Sequence, residues 1–183
     1  MEIINLIFIS LLLSGKSDRI YINDFIGKVF IQSTDGKNTL LPAIVGRKIS
    51  SGDIVIVSDG SSCKISYKDK RTIITIDSNS EIKFINTDTT RELFLKKGSF
   101  YVYNVNKYSK RGVFIFSNFS QLYLTDSKVW VSVKDSNKDI IYTFGDEVNI
   151  SDKYIGTKIY EDRTIGIESS SEGIVIVENY LFN

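Results

Sequence analysis

Between Gly46 and Phe84 the chain reads as short β-branched runs separated by tight polar turns, and this grammar limits the fold more than any other feature. Gly52-Asp53 marks one turn and leads into Ile54-Val55-Ile56-Val57. Asp59-Gly60-Ser61-Ser62 marks the next, and Lys64-Ile65-Ser66-Tyr67 then alternates polar and apolar side chains. Asp69-Lys70 and the run from Asp77 to Ser80 bracket Ile73-Ile74-Thr75-Ile76, and Ile82-Lys83-Phe84 follows. β-Branched residues fit a pleated, half-buried surface, and alternation with a period of two is the signature of a strand with one face inward. No helical periodicity interrupts the pattern. The stretch predicts a stack of short antiparallel strands.

The same grammar continues on both sides. Upstream, Arg19 to Ile22 and Gly27 to Ile31 read as strands, and Thr34 to Asn38 carries the Asp-Gly pair that tight hairpins use. Pro42 lies between Thr39 and Val45, where an edge or connector tolerates it. Downstream, strands are expected at Glu92–Leu95, Ser99–Val105, Val113–Phe116, Gln121–Thr125, Lys128–Val133, Asp139–Phe144 and Gly173–Val177. The last of these echoes Gly52 to Val57. The expected fold is all-β: about a dozen short, mostly antiparallel strands in a twisted roll or solenoid-like sandwich, with no substantial helix. With 183 residues, 42% of them hydrophobic, the chain can bury one substantial core, so residues 19–183 are expected to form one domain.

The first 15 residues contain an apolar-leaning run from Ile3 to Leu13, broken by Asn5 and Ser10. It is too short for a comfortable bilayer span of roughly 20 residues. Its length suits the hydrophobic segment of a signal peptide, with Ser14 and Gly15 as small residues near the cleavage point. The other reading is a first buried strand or helix. Lys16 stands where a lipoprotein would need its lipidated cysteine, which argues against an anchor. The expectation is an exported chain, periplasmic or extracellular, without a stable membrane span.

Catalysis finds little to work with. The chain has no histidine, so neither Ser-His nor Cys-His chemistry is available. The paired carboxylates Asp53 and Asp59 both sit where turns favour Asp. Cys63, the single cysteine, reads as a packed thiol. Asp135, Asn137 and Asp139 have the alternate spacing of a calcium loop, but Ile140 occupies the position where such a loop needs Gly. No enzyme activity, cofactor or metal is expected. A net charge of +1 offers no field for nucleic acid. The candidate interaction surface is the aromatic and basic strip of Tyr101, Tyr103, Lys107, Tyr108, Lys110 and Arg111. Rings are dense from Phe100 to Trp130, and in alternating strands half of them should face the core.

These motifs, in this order, resemble the FecR-like domain of bacterial envelope proteins over residues 25–150. Gly27-Lys28-Val29 matches that family's first strand, and the segment from Gly46 to Val55 matches its next motif, with Gly52-Asp53 as the structural turn. Ser62-Cys63-Lys64-Ile65, Ser80-Glu81-Ile82 and Leu93 to Gly98 match later steps, while Lys70 replaces the family's turn Gly. The resemblance implies an exported, non-enzymatic module for protein interaction, signalling or scaffolding in the cell envelope, with an envelope protein as partner. It is identified with the stand-alone exported form, since no adequate membrane span precedes the domain. The alternative is a carbohydrate-binding or adhesive module, with Tyr and Trp rings as platforms for a glycan. Coplanar rings in a groove would favour the glycan reading; an exposed edge with an apolar patch would favour the protein reading.

Overall fold

The computed structural model describes residues 19–34, 39–105, 111–135, 138–144, 148–152, 156–159 and 165–177. Seventeen strands and no helix occupy them. In chain order the first nine are β1 (Ile20–Ile26), β2 (Val29–Gln32), β3 (Leu40–Pro42), β4 (Lys48–Ile49), β5 (Ile54–Val57), β6 (Ser62–Tyr67), β7 (Thr72–Ile76), β8 (Ser80–Asn86) and β9 (Arg91–Asn104). Then come β10 (Val113–Phe116), β11 (Ser120–Leu124), β12 (Ser127–Asp135), β13 (Lys138–Phe144), β14 (Val148–Asp152), β15 (Gly156–Ile159), β16 (Ile165–Ser170) and β17 (Gly173–Val177). The fold is all-β, as the turn grammar requires. The strands are more numerous than expected: β3 and β4 are too short to show a pattern, and β14 to β16 are short runs between the expected strands. The two runs at Glu92–Leu95 and Ser99–Val105 are one strand of 14 residues, β9.

All strands belong to one connected sheet, folded over on itself into two layers. The front layer runs β4-β1-β6-β7-β9-β12-β13-β16-β17. The back layer runs β3-β2-β5-β8-β9-β10-β11-β14-β15. Among the described residues every pairing is antiparallel except β9 with β10. Chain order is nearly kept along both layers, so the stack advances from an N-terminal end at β3 and β4 to a C-terminal end at β15 and β17.

β9 joins the layers. Its first half pairs with β8 and its second half with β7 and β12. Leu93 and Leu95 enter the core from the back, Phe100 and Val102 from the front, all 3% exposed or less. The strand bends at Gly98, with φ +82°, where a side chain's β-carbon would lie 2.3 Å from Ser80 Oγ. Ser80 Oγ accepts the Ser99 N–H at 2.9 Å. A similar corner recurs at Gly27: φ is +78°, and Ser61 Oγ accepts the Lys28 N–H at 2.9 Å. In both corners only glycine allows the close approach, and a buried serine satisfies the next backbone donor.

Inward residues of both layers merge into one apolar cluster, with Ile65, Ile74, Val102, Val129 and Ile141 from the front and Val55, Ile82, Phe84, Leu93 and Leu122 from the back. Each large side chain fully buried there contributes about 1.5–3 kcal/mol.

The hairpin between β6 and β7 and the crossing turn from β7 to β8 each need one left-handed residue: Lys70 at φ +57° and Asn79 at φ +57°. Asn tolerates that region, but Lys does so at a cost of about 1–2 kcal/mol. Lys70→Gly is therefore expected to stabilise the fold by about 0.5–1 kcal/mol, after the greater freedom of glycine in the unfolded chain is deducted. A denaturant melt checks this; a lower midpoint would show that the Lys70 side chain contributes more than its backbone costs.

Candidate interaction surface

The front layer's outer face carries a half-buried aromatic strip. Tyr101 and Tyr103 stand on β9, next to Trp130 and Lys128 on β12, which in turn face Tyr142 and Phe144 on β13. Cross-strand register makes the contacts: Trp130 and Tyr142 rings lie 5.5 Å apart, tilted by 40°, and Tyr101 meets Phe144 edge-on at 6.0 Å. Lys128 Nζ lies 5.2 Å from the Tyr103 ring centre. Trp130 Nε1 donates to Asp77 Oδ2 at 3.1 Å, and Ser99 Oγ donates to the same oxygen at 2.7 Å. Burial, and then the neighbouring Tyr103, push the Tyr101 hydroxyl's pKa above its ordinary value.

The back layer has its own strip, where Phe94 stacks on Phe116 at 4.6 Å and Phe114 meets Tyr123 at 4.7 Å. Of the rings expected to divide between core and surface, Phe100 is buried in the core, whereas Tyr101, Tyr103, Phe114, Phe116, Tyr123 and Trp130 are half-buried. The physical reason lies in parity. Aliphatic side chains fill the inward row, and the rings cover the outer faces by pairing across strands.

The predicted strip is only partly brought together. Tyr101 and Tyr103 are adjacent on one face. Lys107, Tyr108 and Lys110 lie outside the described residues, and Arg111 is half-buried on the approach to β10, a strand of the back layer. The Gly52-Asp53 turn is fixed to β8. Gly52 takes φ +97° and donates to Phe84 O at 2.7 Å, while Asp53 Oδ2 accepts the Ser50 N–H at 2.8 Å. Asp59 serves another turn, accepting from Asn79 Nδ2 at 2.7 Å, so the two carboxylates do separate structural work.

Asp139 is fully buried, and its Oδ2 accepts from Ser117 Oγ at 2.7 Å and from the Phe119 N–H at 2.8 Å. It thus ties the front layer to the β10–β11 turn of the back layer. Asn137 lies outside the described residues, as does the Asp135 side chain.

Cys63 is 1% exposed, and burial, followed by the nearby Asp24 carboxylate, pushes its thiol from an ordinary 9.0 up to about 12. The folded thiol keeps its proton to a higher pH than the unfolded one. The associated stability is complete below pH 9 and is lost between 9 and 12, at a slope of up to about 1.4 kcal/mol per pH unit. A Cys63→Ala variant is expected to lose less stability than the wild type over that window, as read by denaturation at each pH. Parallel curves would show that the thiol does not titrate differently on folding.

The surface that the sequence did not single out is the N-terminal end of the stack. Leu40 is 54% exposed, Leu41 37%, Ile44 55% and Val45 58%. Among the described residues β3 pairs only with β2, and the loop from Ala43 to Arg47 crosses from β3 in the back layer to β4 in the front. The outward edge of β3 is blunted: Pro42 has no N–H, and its carbonyl accepts from Arg47 Nη1 at 2.8 Å. What this end offers is therefore exposed apolar side chains more than a free backbone edge.

No protein-family model matches the chain, and no curated protein does. Two crystal structures of a "putative anti-sigma factor" from Parabacteroides distasonis are similar in fold. Each gives a TM-score of 0.55, at 8% and 9% identity, and each match covers 68% of this chain. The matched part spans 58% of those chains. At such low identity the likeness shows a shared all-β fold and nothing finer.

Proposed function

We propose that this chain is an exported, non-enzymatic, FecR-like module that binds another protein of the bacterial cell envelope as part of a regulatory or signalling relay. The observation that carries the reading is the apolar end formed by Leu40, Leu41, Ile44 and Val45. Monomeric proteins rarely leave such a group of large apolar side chains in water unless a partner covers it. The order of FecR-like motifs and the fold shared with the anti-sigma-factor structures support a role in signalling. The glycan alternative is less well supported. The front-face rings are inclined to one another by 40° and 63°, so they offer no flat platform for a sugar.

The test is affinity capture from envelope extract, with wild type and an Ile44→Asp/Val45→Asp variant as baits and a polysaccharide array run beside them. A protein held by the wild type and lost by an equally stable variant supports the reading. A glycan bound without any protein partner overturns it in favour of the carbohydrate-binding module.

A further inference from the structure

The apolar end continues onto the front face. Beside Val45 lies an open depression of about 510 Å³, walled by Tyr21, Ser66 and Ile73 and flanked by Lys64 and Lys70. Its volume is in the range that takes a large side chain with room to spare. Ile73 pairs with Tyr103 across the ladder, so the depression also borders the aromatic strip.

Charge along β1 to β7 is one-sided. Residues 19–34 and 39–75 contain eight Lys or Arg and four Asp or Glu, an excess of four, whereas the whole chain has a net charge of only +1. All four carboxylates are used within the fold. Asp24 accepts the Phe25 N–H, Asp53 caps its turn, Asp59 holds Asn79, and Asp69 pairs with Arg91. None of the eight cations forms an ion pair with a described residue.

We propose, building on the interaction-module reading, that this end recognises an acidic protein segment. One large apolar side chain of the partner fills the depression between Val45 and Ile73, and carboxylates beside it meet Lys64 and Lys70. The concave shape selects a peptide side chain over a flat lipid surface. Complementary charge speeds the encounter and sets the partner's orientation.

The experiment is a selection of short random peptides displayed on phage against the full chain, followed by affinity measurement on Lys64→Glu and Lys70→Gly variants. Lys70→Gly removes one cation while relieving a strained backbone, so it tests charge without harming the fold. Enriched peptides should carry a large apolar residue flanked by Asp or Glu. Their affinity should fall about tenfold with Lys64→Glu and severalfold with Lys70→Gly, and should weaken as salt rises. Enrichment of neutral or basic peptides, or of acidic ones indifferent to both substitutions, overturns the assignment and leaves the interaction reading standing. No enrichment at all also overturns it, and if the capture from envelope extract is empty too, that reading falls with it. Flotation of the chain on phosphatidylcholine–phosphatidylglycerol vesicles, with no peptide enriched, identifies an anionic membrane as the ligand instead.

Discussion

Gly98→Ala is expected to destabilise the fold by about 3–5 kcal/mol, more than a typical surface substitution and comparable with emptying a core position. Two effects add. The backbone at φ +82° disfavours any L side chain by about 1–2 kcal/mol. In addition, the new methyl would lie 2.3 Å from Ser80 Oγ, 2.6 Å from Ser80 Cα and 2.7 Å from Asn79 O. Two of those neighbours are backbone, so β8 would have to move, and the Ser80 Oγ to Ser99 N–H bond would break with it. Gly60→Ala separates the two effects. Gly60 has φ +62° with no atom within 4 Å of the added carbon, so it should show the backbone effect alone, about 1–2 kcal/mol. Guanidinium melts of the two variants measure the difference. Equal losses would mean that β9 turns its corner without the tight contact on β8, and that the strand joins the two layers more loosely than described.

The same corner shows what a sequence can and cannot disclose. The run Leu93-Phe94-Leu95-Lys96-Lys97-Gly98 reads as a strand ending in a turn. The residues are right for both, yet the chain keeps its strand pairing through the bend, which depends on β8 lying alongside. Alternation tells which residues share a face, so Tyr101 and Tyr103 are legibly on one side and Phe100 and Val102 on the other. It does not tell which layer a strand joins.

Position in the stack is equally hidden. Ile54-Val55-Ile56-Val57 and Ile174-Val175-Ile176-Val177 are nearly the same text, but β5 lies inside the back layer and β17 at the end of the front one. Val55 is wholly buried and Val175 is 62% exposed. For the same reason Leu40 and Leu41 look like core residues, yet β3 pairs with β2 alone among the described residues and leaves them at the surface. The apolar end, on which the functional reading rests, is a property of a strand's place in the stack and not of its residues.

Arg91 is the second position where a large effect is expected. It is 1% exposed at the start of β9, and Thr72 links it to Asn104 at the strand's other end. Its guanidinium pairs with Asp69 Oδ2 at 2.6 Å, donates to Thr72 Oγ1 at 2.6 Å and lies 4.2 Å from the Tyr67 ring centre. Thr72 in turn donates to Asn104 Oδ1 at 2.7 Å, and Asn104 Nδ2 reaches the Thr125 carbonyl at 2.9 Å. The chain of bonds therefore runs from the β6–β7 hairpin through both ends of β9 to the start of β12. Arg91→Ala should cost about 3–5 kcal/mol, because it opens a cavity beside Tyr67 and removes the link between hairpin and strand. Arg91→Met decides which loss dominates. A buried ion pair is often replaced by an apolar residue of similar size at little cost, and Asp69, whose side chain is 32% exposed, can turn to water. Methionine should therefore recover at least half of the loss, as read by urea denaturation of the three proteins. If methionine proves as destabilising as alanine, volume is not what Arg91 supplies. The bond chain through Thr72 and Asn104 would then be what holds the ends of β9 together.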